Sequence, residues 1–311
     1  VSKLICDYVE NSPKLESLYN RFPTLENFKA QLQAKQSEFN SEKRSILVDA
    51  LIKQYTELKP SELTSNVIQS LGDENTFTVT TGHQLNLMGG PLYFLYKIIS
   101  TINLAKELKH KYPKNNFVPV FWMATEDHDF EEINHFNFKN KRFQWTKKTS
   151  GAVGVLSTSE LSDFVEVFSS VLGNSSHALK LKTLVQKAYL GHSNLAAATR
   201  YFVDALFGSE GLLIIDGNDT ALKRLFIPQI RSELTNQNAF SNVSETNLQL
   251  AGIDAAYKIQ VNPRELNLFY LTKNIRERIV KKEGAYRVLN TDIAWDLAGI
   301  LEEVDSNPEH F

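Results

Sequence analysis

From Phe28 to Tyr55 the apolar residues recur at the spacing of one helix face. Phe28, Leu32 and Phe39 stand among Lys, Gln and Glu. After Asn40-Ser41, Ile46, Leu47, Ala50, Leu51 and Tyr55 follow at i, i+1, i+4, i+5 and i+9. Pro60 ends this helix and Ser61 caps the next. Residues 1–72 are therefore expected to be a helical layer packed on a core. The texture then changes. Thr76 to Thr81 alternates β-branched and aromatic residues with polar ones, as a strand does. The loop from Gly82 to Gly90 follows, and Pro91 is expected to open a long helix. Its stripe is Leu92, Leu95, Ile98, Ile99, Ile102, Ala105 and Leu108. Phe117 to Ala124 is a short continuous apolar run, the mark of a buried parallel strand.

Strand, helix and strand in this order make a βαβ unit. Both strands then end at the same sheet edge, which is where open α/β sheets bind ligands. The two most polar loops, Thr81-Gly-His-Gln84 and Thr125-Glu-Asp-His-Asp129, thus converge by topology. Downstream, Phe136, Phe138, Phe143 and Trp145 alternate about Lys139-Asn-Lys141, which predicts a hairpin. Helices are expected at 159–172 and 178–208, then a third strand at 211–216. Asp219 should cap a helix reaching about Arg231, which Pro228 kinks or shortens. Residues 256–289 hold three short apolar runs with turn-rich spacers, a small β meander. A last helix is expected from Thr291-Asp292.

The 311 residues are 42% hydrophobic and 23% charged, so a disordered, collagen-like or disulfide-framed chain is excluded. There are 34 Lys plus Arg against 36 Asp plus Glu, a net charge of −2. That balance argues against a dedicated nucleic-acid binder. No apolar run reaches the ~18 residues of a membrane span. No basic-then-apolar opening suggests secretion. The one cysteine, Cys6, fits a reducing compartment, so a cytoplasmic location is expected. Val1 in place of Met, and a stop just after Asn307-Pro308, suggest a piece of a longer protein.

Two loops carry the candidate chemistry. Gly82, Gly89 and Gly90 precede a helix start. Glycine backbone and unpaired helix amides together favour a phosphate or carboxylate. The alternative is a structural turn needing positive φ at Gly89 or Gly90. The spacing is neither the Walker loop nor the dinucleotide fingerprint. His83 is either a satisfied polar residue or a donor to developing charge, while Gln84 and Asn86 suit ligand orientation. In the second loop Glu126, Asp127, His128 and Asp129 stand in a row. They either cap a helix or hold Mg²⁺, bind a substrate ammonium, or act as general base. Zinc is disfavoured, since His128 and His135 lack a supporting cysteine cluster. No Gly-x-Ser-x-Gly elbow exists, and Cys6 lies away from both loops. Asp216 and Asp219 close the third strand at the same edge. Arg264 and Asn267 either contact an anion or form a surface turn.

Thr81-Gly-His-Gln84, Gly90-Pro-Leu-Tyr93 and Tyr96-Lys-Ile-Ile99 resemble the first signature of the cysteine ligase family of bacillithiol biosynthesis (BshC). Val118-Pro-Val-Phe-Trp-Met-Ala-Thr-Glu-Asp-His-Asp-Phe130 resembles its second. Weaker similarity runs from Leu4 to the end. The family often carries Gln where this chain has His83. The resemblance implies an α/β fold, a Rossmann-like nucleotidyltransferase-type parallel sheet with a helical N-terminal layer and two inserted connecting subdomains. The core would be 73–134 and 196–235. The first insertion would be 135–195, and the second, β-rich one 236–290. Residues 291–311 would start a C-terminal core helix. It also implies a coiled-coil arm beyond Phe311 that supports a homodimer.

The implied reaction joins cysteine to glucosaminyl malate by an amide bond, with ATP and Mg²⁺. His83, Asp127 and His128 would carry the chemistry, and Glu126, Asp127 and Asp129 would hold the metal. Thr81, Gly82, Gln84, Asn86, Gly89, Gly90, Tyr96, Lys97, Trp122, Glu126, Asp129, Asp216, Arg264 and Asn267 would bind substrate or nucleotide. The runner-up is nucleotidyl transfer to another small acid on the same core, and the third reading is a non-catalytic ligand-binding fragment.

Overall fold

The computed structural model describes residues 2–311. In chain order it begins with helices at Lys3–Val9 (α1), Phe28–Glu38 (α2), Ser41–Tyr55 (α3) and Glu62–Ser70 (α4). A strand, helix and strand follow at Thr76–His83 (β1), Tyr93–Lys111 (α5) and Asn116–Met123 (β2). Next come Phe130–Ile133 (α6), His135–Phe138 (β3), Lys141–Gln144 (β4), Ser162–Leu172 (α7), Ser176–Tyr189 (α8), Leu195–Phe207 (α9) and Leu213–Asp216 (β5). The chain continues with Thr220–Arg224 (α10), Ile227–Asn236 (α11), Asn238–Ile253 (α12), Phe269–Thr272 (β6), Ile275–Lys282 (β7), Ala285–Val288 (β8), Ala294–Trp295 (β9) and Leu297–Ser306 (α13).

The cap predicted at Ser61 is present, and Asn40 makes another. Asn40 Oδ1 accepts from the Lys43 N–H at 3.0 Å and starts α3; Ser61 Oγ accepts from Thr64 N–H at 3.1 Å and starts α4. The βαβ unit is present, and β1, β2 and β5 form one parallel sheet in that order. Register aligns their carboxyl ends: His83 lies opposite Met123, and Met123 opposite Asp216. Helix α5 begins at Tyr93, two residues after Pro91. Its buried face is Phe94, Ile98, Thr101, Ile102, Ala105 and Leu108, whereas Leu92 and Ile99 are exposed. The expected stripe was rotated because Phe94 and Thr101, not those two, complete the row facing the sheet.

By contacts the chain divides into two compact units. One comprises Phe39–Lys223 with Leu271–Arg276 and holds the parallel sheet. Its single core runs from Tyr55 and Ile68 through Phe94, Ile98 and Phe121 to Leu213 and Ile214. Phe143, Trp145, Phe168 and Tyr189 belong to the same core. Residues 135–195, read from sequence as an insertion, therefore share the sheet's core. The expected hairpin is there, as β3 and β4 paired antiparallel. The single helix expected over 178–208 is two, α8 and α9, broken before Asn194, which caps α9 through the Ala197 N–H.

The other unit comprises residues 1–38, Arg224–Tyr270 and Glu277–Phe311. The helical stretch 1–72 is thus divided after Glu38. Pro228 does not kink a helix but sits in the first turn of α11, where its missing N–H costs nothing. The segment 236–290 opens with the sixteen-residue helix α12, and no strand forms at Tyr257–Val261. The strands are β6 to β9 in sequential order. Strand β7 occupies a stretch read as a spacer: its alternating Arg, Glu and Lys hid Ile275, Ile279 and Val280. The last helix starts at Leu297, capped by Asp296, because the short strand β9 occupies the expected start. It packs on α11, β8 and β9.

Candidate functional site

The two polar loops do meet. Gln84, one residue past β1, donates from Nε2 to Asp127 Oδ2 at 2.8 Å and to Glu132 Oε2 at 2.8 Å. Asp127 Oδ1 accepts from the His128 N–H at 2.7 Å. Burial pushes the Asp127 carboxyl up, but the Gln84 amide, the His128 N–H, the Arg276 guanidinium and the Asp129 N–H outweigh it. They hold it below the ordinary carboxylate value. Asp127 is therefore an anion at neutral pH, fixed by an amide from the neighbouring strand end.

Asp127, His128 and Asp129 each offer one ligand atom within 4.8 Å of the others. Glu126 does not join them. Its carboxylate pairs with the buried Lys223 ammonium at 2.8 Å, so of the expected set Glu126, Asp127 and Asp129 only the last two lie together, with His128 beside them. Arg276, in the β6–β7 hairpin, places Nη1 2.6 Å from His128 Nδ1. A guanidinium only donates, so that nitrogen's lone pair is occupied.

His83 is half-buried between Tyr93 and Phe94, with ring centroids 5.2 and 5.3 Å away. Its Nδ1 lies 3.2 Å from the Gln84 carbonyl oxygen. Burial lowers its pKa below the ordinary 6.5, Lys97 adds to this, and the Gln84 carbonyl and Asn86 only partly oppose it. The ring is thus neutral at pH 7, and any donation from it to developing charge comes from a neutral N–H. This fixes a sign. Above the ordinary value both folded and unfolded chains are neutral and full stability is present. As pH falls through 6.5 toward the lower folded pKa, the unfolded state gains its proton first and stability is lost. His83→Gln should therefore flatten the fall in melting temperature between pH 7.5 and 5. Parallel melting curves for the two proteins would contradict it.

The glycine loop is a structural turn. Met88 and Gly89 take positive φ, at 56° and 68°. The Gly89 and Gly90 N–H groups donate back to Asn86 and Leu87 carbonyls, at 3.2 Å each, so neither is free for an anion. A Cβ on Gly89 would press on Phe202, and one on Gly90 on Phe136. Gly82 pairs within the ladder, and its carbonyl accepts from Lys97 Nζ at 2.5 Å. At the helix start Phe94 and Leu95 N–H close onto Pro91 and Leu92 carbonyls. Among the described residues this leaves the Leu92 and Tyr93 amides for a ligand. They line a cavity of about 820 Å³ with Gln84, Asn86, Glu132, His135 and Phe136. Asn86 is buried, and its Oδ1 has no hydrogen-bond partner.

Thr81 lies half-buried two residues before the end of β1; Tyr96 and Trp122 are exposed, with Trp122 packed so closely on Gly217 that any side chain there would collide with the indole. Asp216 Oδ1 accepts from Thr125 Oγ1 at 2.5 Å, which joins the third strand end to the second. Asp219 caps α10 through the Ala221 N–H at 2.9 Å. Arg264 and Asn267 lie in the other unit, where the Asn267 N–H donates to Glu233 Oε1 at 3.0 Å. Glu132, Lys223 and Arg276 were missed, because nothing local marks a residue whose partner is distant in sequence.

A family model for the N-terminal Rossmann-like domain of bacillithiol biosynthesis BshC matches residues 1–311. A Flavobacterium psychrophilum protein named "putative cysteine ligase BshC" is 56% identical over 311 residues, covering 100% of this chain and 58% of the relative. Proteins of the same name from Cytophaga hutchinsonii and Bacillus cereus (strain B4264) are 38% and 28% identical, over 100% and 99% of this chain and 57% and 58% of theirs. The chain spans less than two thirds of the length of these relatives. No helix among the described residues is long and apolar enough to cross a membrane.

Proposed function

The chain belongs to the BshC family, as its N-terminal Rossmann-like domain, and on that premise we propose that it is the catalytic core of a ligase joining cysteine to glucosaminyl malate. The observation that carries the reading is the 2.8 Å bond from Gln84 to Asp127, which ties the ends of adjacent parallel strands into one anionic, oriented site. We place the sheet in the nucleotidyltransferase class with 135–195 and 236–290 as its connecting insertions, in a cytoplasmic homodimer. An amide does not form from a free carboxylate, because oxide is too poor a leaving group. ATP would supply the activation by turning a cysteine carboxylate oxygen into a phosphate or AMP leaving group, with release of ADP or pyrophosphate, so that the amine of glucosaminyl malate can displace it.

The residues fit a magnesium ion. Asp127 and Asp129 would give the one or two hard carboxylates that Mg²⁺ takes from protein, and the ion would supply charge neutralisation for nucleotide phosphates. Glu126 stays with Lys223 and forms the wall. Leu92 and Tyr93 amides at the start of α5 receive phosphate, and exposed Trp122 and Tyr96 offer aromatic faces at the same edge. The attacking amine must lose a proton. His128 takes it once Nδ1 is released from Arg276, whose guanidinium then turns to the substrate's negative charge. His83 orients the loop as a neutral ring.

Calorimetric titration separates this from nucleotidyl transfer to another small acid. The ligase binds cysteine more tightly when ATP and Mg²⁺ are present, and other small acids show no such coupling. Equal coupling to an unrelated acid, with none to cysteine, would reject the ligase reading.

A further inference from the structure

A second cavity, of about 330 Å³, opens where Thr125 and Asp216 meet at the ends of β2 and β5, and it shares no lining residue with the groove beside Gln84. Arg200, on α9, lines it and is only 7% exposed. Its guanidinium donates to the Ile214 carbonyl at 2.6 Å and to Gln54 Oε1 at 2.9 Å, and its plane lies near the Tyr55 ring. Both acceptors are neutral. Among the described residues no carboxylate comes within ion-pair distance of it. Asp216 and Asp204 lie farther off, close enough to favour its charge but not to neutralise it. A guanidinium has five N–H donors, and a buried cation with only neutral partners is costly unless an anion reaches it.

The rest of the wall agrees. Ala196 and Ala197, in the first turn of the thirteen-residue α9, line the cavity. Asn194 caps the Ala197 N–H and Leu156 takes the Leu195 N–H, but the Ala196 N–H has no acceptor among the described residues. A helix N-terminus beside a buried arginine attracts a carboxylate. Asp216 lines the same cavity, with Oδ1 engaged by Thr125 and by the Asn218 N–H. Gln54 Oε1 accepts from both Arg200 and the Asp216 N–H, at 2.9 Å each, so one amide sets the spacing of the positive and negative groups.

We propose that this cavity is a carboxylate subsite for a small molecule that also carries an amine, as an amino acid does. The carboxylate meets Arg200 and the Ala196 N–H, and the ammonium meets Asp216. The inference rests on the ligase reading and gives its amino acid substrate a place next to, but apart from, Gln84 and Asp127; its test reads binding alone.

The test is titration calorimetry on the full-length protein with three related thiols: cysteine, 3-mercaptopropionate, which lacks the amine, and cysteamine, which lacks the carboxylate. Cysteine should bind, 3-mercaptopropionate about tenfold more weakly, and cysteamine without saturation. Ala196→Leu fills the cavity on a helix-compatible position and leaves every Arg200 bond in place. It should weaken cysteine binding by about tenfold or more while the melting temperature holds. Asp216→Asn should erase the preference for cysteine over 3-mercaptopropionate. Two results would each overturn the subsite while leaving the ligase reading in place: unchanged cysteine affinity in Ala196→Leu, or cysteamine bound as well as cysteine; no cysteine binding by the folded wild type would overturn both.

Discussion

Replacing Asp127 with Asn should cut amide formation by roughly 100-fold or more, the scale of losing an acid–base or metal-binding carboxylate, with little change in melting temperature. The substitution keeps size and shape. The new amide can still accept from the His128 N–H, and the Gln84 amide can turn to offer its oxygen to the new NH₂ group, giving up its partly exposed bond to Glu132. Clustered carboxylates alone would predict a gain in stability when one charge is removed. The structure reverses that sign, because Gln84, Arg276 and two backbone amides hold Asp127 as an anion. A small loss follows, and only above the pH at which the carboxyl ionises. Turnover within about threefold of wild type, or a protein that no longer folds, would show that Asp127 is a structural acceptor and not a working one.

Arg44→Met should remove about 3–5 kcal/mol from the sheet-bearing unit, the scale of losing several charge-assisted hydrogen bonds at a buried site. Arg44 is 5% exposed and lies over the Phe39 ring. Its Nη1 donates to the Leu71 and Thr76 carbonyls at 2.9 and 3.0 Å, and its Nη2 to Glu74 at 3.3 Å. Those acceptors span the turn that leads into β1. Methionine fills the space but leaves two buried carbonyls without a donor, so the start of β1 loosens and the Gln84 loop at its other end loses its anchor. Arg44→Lys should recover only part of the loss, since an ammonium cannot fork to three carbonyls. Urea unfolding followed in parallel for the three proteins checks this. Equal midpoints would mean that water replaces the arginine at no cost.

The sheet and the meeting of its loops were legible because both follow from local pattern plus topology. Thr76–Thr81 announces an alternating strand and Phe117–Ala124 a buried one, and a helix between them leaves the strands parallel. Gln84 and Asp127 were then bound to meet. What the glycines do was not legible, since Gly89 and Gly90 look alike whether their amides face an anion or close a turn. Pairings that skip many residues were hidden too: Glu126 with Lys223, His128 with Arg276, Gln54 with Asp216. Strand β7 was masked by its Arg, Glu and Lys residues. Arg200 did leave a trace, as a lone cation among Leu195, Ala198, Phe202 and Val203 on one buried helix face.

The decisive measurement is product formation by the full-length protein given ATP, Mg²⁺, cysteine and glucosaminyl malate, followed by mass spectrometry. The account predicts a thiol product of the mass expected for the two substrates joined with loss of water. Its appearance should depend on ATP and nearly vanish in Asp127→Asn. Folded wild-type protein that binds its ligands but yields no such product, or an Asp127→Asn variant that yields it at the wild-type rate, would contradict the account.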